Sequence, residues 1–117
     1  MKILEIKRIL DAEVLCGDQL MENEISYAFS SDLMSDVLAF VNGKTLLLTG
    51  LTNQQVIRTA EMADIGFIVF VRGKKPEAEI VELAVENNIV LLSTRDTMYI
   101  ASGKLYGSGL EGIEINC

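Results

Sequence analysis

The sequence predicts an α/β fold, a single three-layer domain with a central, mainly parallel sheet flanked by helices. Strand-like and helix-like segments alternate along residues 45–103, the order typical of parallel strands joined by helices. Residues 67–71 read Phe-Ile-Val-Phe-Val, and such a run is typical of a strand covered on both faces. A chain of 117 residues with 50% apolar residues is long enough for one core, so residues 1–117 are expected to form one domain.

The N-terminal part is predicted to form a helix followed by two strands. Apolar residues recur three and four positions apart along residues 2–10, which indicates one apolar helical face. Residues 12–16 predict a short strand that Gly17 and Asp18 end. Residues 24–28 alternate weakly between polar and apolar, and they predict a second strand.

Residues 33–41 predict a helix whose apolar stripe is wider than one core face needs. Ser30, Ser31 and Asp32 are candidate N-caps before this helix, and the Asn-Gly pair at 42–43 ends it. Two interpretations are open: the sheet covers the whole stripe, or part of the stripe packs on a second subunit, since homodimers are the commonest oligomers. We expect a homodimer, with an interface formed by Met34, Val37, Leu38 and Val41.

Three strand-then-helix units follow, with strands at 45–48, 67–71 and 89–92. If these strands are parallel neighbours, the loops that follow them meet at one edge of the sheet. Residues 96–103 predict the third helix, and residues 111–116 alternate like a closing edge strand.

The starts of the first two of these helices have recognisable signals. Thr52 followed three residues later by Gln55 matches a capping box, so Thr52 is the expected N-cap. Pro76 suits the first position of the next helix, where its missing N–H is not needed.

The loops after the three strands form the candidate ligand site. They contain hydroxyl groups together with Arg72, Lys74, Lys75 and Arg95, four of the ten basic residues of an acidic chain. Open α/β sheets bind ligands at this edge, and helix N-termini attract anions. Alternatively, the hydroxyls only cap helices and the cations are solvated or pair with nearby glutamates. The candidate ligand-binding residues are Thr49, Thr52, Asn53, Arg72, Lys74, Thr94 and Arg95.

Composition argues against several other functions. The net charge of −7 disfavours nucleic acid and anionic membranes as partners, because both need a clustered basic surface. The chain has no histidine and only Cys16 and Cys117 as thiols, so we expect no metal site, no cofactor and no catalytic residues. Asp32 and Asp36 lie four residues apart and could act together in acid-base or Mg²⁺ chemistry. The favoured interpretation is that Asp32 caps the helix and that Asp36 is a solvated surface residue.

Three segments together resemble the DRTGG domain family, which is similar to the N-terminal domain of HPr kinase/phosphorylase. They read Asp-Leu-Met-Ser-Asp-Val-Leu-Ala-Phe at 32–40, Leu-Leu-Leu-Thr-Gly-Leu-Thr-Asn at 46–53 and Val-Phe-Val-Arg-Gly-Lys-Lys-Pro at 69–76. The pentapeptide that names the family does not occur here. The resemblance implies a compact α/β module that stands alone or is joined to enzymes, often beside CBS domains, with a dimerising or regulatory role.

The sequence therefore favours a cytoplasmic, non-catalytic regulatory or protein-interaction module that self-associates. An alternative is a sensor of a nucleotide or phosphate, and a less favoured one is a small phosphotransferase or hydrolase. The chain lacks both a phosphate loop and a nucleophile–base pair close in sequence. The expected partners are a second copy of the chain and, as further candidates, an enzyme or CBS-type regulatory protein and a nucleotide or phosphate.

Overall fold

Six strands form one sheet in the computed structural model, which describes residues 1–115. The strand order is β1-β5-β4-β3-β2-β6. Strand β1 pairs antiparallel with β5, and the other neighbouring strands are parallel. The strands are β1 (Glu13–Cys16), β2 (Tyr27–Ser30), β3 (Thr45–Thr49), β4 (Phe67–Phe70), β5 (Val90–Ser93) and β6 (Glu111–Gly112).

Five helices cover the two faces of this sheet. Side chains of α1 and α5 form one apolar core with one face of the strands, and side chains of α2, α3 and α4 form a second core with the other face. The helices are α1 (Ile3–Leu10), α2 (Met34–Phe40), α3 (Gln54–Met62), α4 (Ala78–Glu86) and α5 (Met98–Gly107). None of the helices within residues 1–115 is long and apolar enough to cross a membrane.

The central strands are buried on both faces because their side chains alternate between the two cores. Leu46 and Leu48 of β3 point to the core of α1 and α5, whereas Leu47 points to the opposite core. Strand β4 lies between β3 and β5, and Phe70 is fully buried. The prediction of a mainly parallel sheet with residues 67–71 at its centre is therefore confirmed.

Several predicted boundaries were wrong by a few residues. Strand β2 begins at Tyr27 rather than at residue 24, because Glu24 only bridges to Lys2 and Ile25 is buried beneath the N-terminal helix. The closing strand is limited to Glu111–Gly112, and position 116 of the predicted strand lies outside the described residues.

The helix starts also differ from the prediction. Asn53 caps α3 in place of Thr52, since Asn53 Oδ1 accepts a hydrogen bond from Val56 N at 3.3 Å. Helix α4 begins after Glu77, two positions beyond the expected start at Pro76, because hydrogen bonds tie the preceding loop to β5. Helix α5 begins at Met98 with Thr97 as its N-cap.

Candidate functional site

The sheet changes the direction of its connections between β4 and β5. The loop after β4 leads to α4 on one face, and the loop after β5 leads to α5 on the other face. In open α/β sheets, a crevice forms at such a point, and ligands bind there. Strands β3, β4 and β5 are parallel neighbours, so the loops after them do meet at one edge of the sheet as the sequence predicted. The position of the crevice along this edge depends on which face α5 covers.

The two loops at this point are hydrogen-bonded to each other. Arg72 N donates to the carbonyl of Asp96, and Gly73 N donates to the carbonyl of Thr94, both at 2.8 Å. Ser93 Oγ donates to the carbonyl of Lys74 at 2.8 Å. Arg72 has a φ of 61°, a left-handed conformation that is unfavourable for a residue other than glycine and that these bonds hold in place. The backbone amides of Arg72 and Gly73 are therefore already hydrogen-bonded within the protein.

Asp32 forms hydrogen bonds with the polar groups at the end of β3. Its Oδ1 accepts hydrogen bonds from Thr49 Oγ1 at 2.8 Å and from Gly50 N at 2.7 Å. Thr49 is fully buried, and its hydroxyl also accepts from Leu51 N at 3.2 Å. A carboxylate therefore lies where an anionic ligand would meet Thr49, and the Asp32 side chain connects β2 to β3 rather than capping α2.

The Arg72 side chain lies over Gly50. A Cβ atom built on Gly50 would lie 2.6 Å from Nη2 of Arg72, so the glycine makes room for the guanidinium group. Arg72 is exposed and extends towards the end of β3.

A polar cavity of about 560 Å³ opens beside the loop after β5, a volume within the usual range for small-ligand sites. Its charged lining is balanced, with three cations and three carboxylates. Two ion pairs are formed, Lys75 to Glu13 at 3.0 Å and Lys104 to Asp96 at 2.8 Å. Within residues 1–115, Arg95 is the lining cation that forms no ion pair. The charged lining residues are Asp11, Glu13, Lys75, Arg95, Asp96 and Lys104.

The candidate ligand-binding residues are thus divided among several places. Thr94 and Arg95 line the polar cavity, but the Thr94 hydroxyl is buried and donates to the carbonyl of Leu10 at 2.8 Å. Thr49 and Arg72 lie at the end of β3. The remaining three are the half-buried Thr52, the α3 cap Asn53 and the exposed Lys74.

Cys16 shows no sign of reactivity. Its Sγ donates to the carbonyl of Ile89 at 3.3 Å, and burial raises the pKa of the thiol, which keeps it protonated.

The comparison with family models identifies the chain, because the model described as the DRTGG domain matches residues 5–105. The chain belongs to the DRTGG domain family. A solved structure of the CBS and DRTGG domains of the regulatory region of Clostridium perfringens pyrophosphatase, complexed with its activator diadenosine tetraphosphate, is similar, with a TM-score of 0.71 and 17% identity. The match covers 89% of this chain and 45% of that chain, and it shows a shared fold. No curated protein matches.

The predicted dimer interface of this DRTGG domain has to be corrected. Met34, Val37 and Val41 are buried in the core that α2 forms with α3 and the sheet, so these side chains cannot meet a second subunit. Leu38 is the exposed member of the predicted set. The apolar stripe is wide because α2 packs both on the sheet and beside α3.

The DRTGG domain also has an apolar groove that the sequence analysis missed. This groove of about 460 Å³ lies between α5 and the edge strands β2 and β6. Tyr99 and Tyr106 border it and are largely exposed. They lie seven residues apart on α5, the spacing of one helical face, and this spacing was the available signal.

Proposed function

We propose that this DRTGG domain is a regulatory module that works by self-association and partner binding rather than by catalysis. The proposal rests on one observation: polar side chains at the strand ends form hydrogen bonds within the protein. Asp32, Thr49 and Thr94 direct their oxygen atoms to hydrogen bonds that hold the domain's own loops. A catalytic edge would instead present such groups to a substrate.

The solved neighbour supports a regulatory role, since its DRTGG domain belongs to the regulatory region of an enzyme. By analogy, the proposed partner of this chain is an enzyme or a CBS-type regulatory protein of the cytoplasm. The likeness to the N-terminal domain of HPr kinase/phosphorylase stays a prediction.

A second candidate function is the sensing of a nucleotide or phosphate. Two observations favour it: the polar cavity lies beside the point where the sheet connections reverse, and the neighbour was solved with a dinucleotide activator. A phosphate group in the cavity would meet Arg95 and compete with Asp96 for Lys104. Because Lys104 belongs to α5 and Asp96 to the preceding loop, binding would change the anchoring of α5.

Ligand sensing predicts a thermal shift. At a hundred times its Kd, a nucleotide or inorganic phosphate should stabilise the native state by about 2.7 kcal/mol, which raises Tm by roughly 10 °C in a domain of this size. Arg95→Ala should weaken binding by removing the cavity's unpaired cation. Arg58→Ala, an exposed arginine on α3, is the matched control and should not change affinity.

The screen would use AMP, ATP, diadenosine tetraphosphate and phosphate. If affinity falls in Arg72→Ala and not in Arg95→Ala, the site lies at the end of β3 instead of in the cavity. If no compound shifts Tm, ligand sensing is wrong and the interaction module remains.

A further inference from the structure

The outer face of α5 carries large apolar side chains that the chain itself leaves uncovered. Tyr99 is 88% exposed and Tyr106 is 74% exposed, and Ile100 beside them is half exposed. Gly103 lies between the two tyrosines, and a Cβ atom built there would meet no atom within 4 Å. A glycine inside a helix is about 1 kcal/mol less favourable than alanine, so this position is suited to a close approach by another backbone.

The groove beside this helix exists because the two helical layers are unequal. The layer of α2, α3 and α4 has three helices, whereas the layer of α1 and α5 has two for the same six strands. Beyond α5, residues 1–115 supply no helix to cover this face of β2 and β6. The lining of the groove includes small groups, namely Ala28, Gly112 and the hydroxyls of Ser30 and Ser102, which share a hydrogen bond of 2.7 Å.

The apolar surface continues around the edge of the sheet. A second cavity of about 620 Å³ is lined by Tyr27 and Phe40, and it shares Tyr106, Glu111 and Gly112 with the groove. Of the ten large apolar side chains that are exposed within residues 1–115, five therefore border these two adjoining cavities, namely Tyr27, Phe40, Tyr99, Ile100 and Tyr106. Clustering of this kind marks interaction sites, whereas single exposed apolar residues are normal.

Helix α5 is less acidic than α4, which favours α5 for contact between two copies of an acidic chain. With a net charge of −7, two copies repel each other, and α4 exposes Glu79, Glu82 and Glu86. Helix α5 carries one charged side chain, Lys104, and that ammonium group is paired with Asp96. A two-fold contact through α5 therefore brings no carboxylate of that helix against the α5 helix of the other copy, and the carboxylates that border the two cavities are Glu111 and Glu114.

We propose that a second copy of this chain binds this surface in a two-fold contact, with the α5 helices crossing near Gly103 and the tyrosines of each copy entering the groove of the other. The proposal rests on the self-association proposed above and names its surface. The surface is self-complementary, because it carries both protruding side chains and a hollow, as an isologous contact requires. A small ligand in the groove would leave Tyr99 exposed, whereas a second helix would cover it.

The test compares paired substitutions by light scattering at about 50 µM. The unchanged chain should show twice 12.9 kDa. Tyr99→Glu plus Tyr106→Glu should give a monomer, with a dissociation constant raised at least about 100-fold, because four carboxylates would meet in a dry contact. Met62→Glu plus Val85→Glu changes two apolar residues of similar exposure elsewhere, and it should leave the dimer intact.

Three other results of the light-scattering test would contradict the proposal in different ways. A monomeric unchanged chain would overturn both self-association and this surface. A dimer that survives the tyrosine pair and dissociates with Leu33→Glu plus Leu38→Glu would overturn only the surface and return the interface to α2. A mass that keeps rising with concentration would overturn the two-fold contact, since open contacts form chains.

A cross-link provides a measurement that does not depend on weakening the dimer. In a chain with Cys16→Ser and Cys117→Ser, Gly103→Cys should oxidise rapidly to a covalent dimer, because the helices cross near this residue and a disulfide needs Cα atoms about 4.4–6.8 Å apart. Ser35→Cys on α2 is the control and should remain monomeric on denaturing gels. The opposite pattern would place the contact on α2.

Discussion

Replacing Phe70 with alanine should lower the free energy of unfolding by about 3–5 kcal/mol, the usual loss for a buried phenylalanine. Phe70 is fully buried on β4, the strand between β3 and β5, and it packs in the core beneath α2, α3 and α4. The loss includes the transfer of the ring to water and the cavity left behind. Urea unfolding followed by circular dichroism measures it as a shift of the midpoint.

Phe40 provides the matched control, since it is the same residue type at an exposed position on α2. Phe40→Ala should cost less, about 1–2 kcal/mol, because the Phe40 ring is 42% exposed and part of it is already in contact with water. Equal losses for the two variants would contradict the central position of β4.

Thr94→Val should lower the free energy of unfolding by about 2 kcal/mol. The Thr94 hydroxyl donates to the carbonyl of Leu10 at 2.8 Å and accepts from Asp96 N at 3.3 Å, and the residue is buried. Valine has a similar shape but leaves both backbone groups without their partner, and an unsatisfied buried group costs about 1–3 kcal/mol. The change would therefore loosen the connection between the end of α1 and the loop after β5.

The control is Thr52→Val, where the hydroxyl forms no hydrogen bond to any other residue of the described range 1–115. That variant should change stability by less than about 0.5 kcal/mol. If Thr94→Val leaves stability unchanged but weakens a phosphate ligand, the hydroxyl serves the ligand, and the structural role assigned to it is wrong.

The sheet could be predicted well because each central strand is marked by a short run of neighbouring residues. Strand β4 is apolar at every position, and such a run fits a doubly covered strand wherever it occurs. Helix starts were harder, since Thr52 and Asn53 both suit an N-cap and only the chain direction after β3 selects Asn53. The start of α4 was predicted two positions too early, at Pro76, because hydrogen bonds to β5 hold this loop and no sequence pattern encodes them.

The site was predicted less completely because it depends on contacts between distant residues. Asp32 is bound to Thr49 and Gly50 through the pairing of β2 with β3, and a helix-cap interpretation of Asp32 was equally consistent with the sequence. Similarly, the width of the α2 stripe did not reveal that both the sheet and α3 cover it. The sequence pattern did not reveal the exposed face of α5, because apolar residues occur all around that helix.

The mass of the unchanged chain in solution tests the central claim most directly. Sedimentation velocity between about 5 and 100 µM, with and without a nucleotide, would measure it. If the domain is a self-associating regulatory module, we expect a species of twice 12.9 kDa at the upper concentrations. A bound nucleotide should change the fraction of this dimer, because it would alter the anchoring of α5. A single species of 12.9 kDa at every concentration, unchanged by nucleotide, would contradict the account.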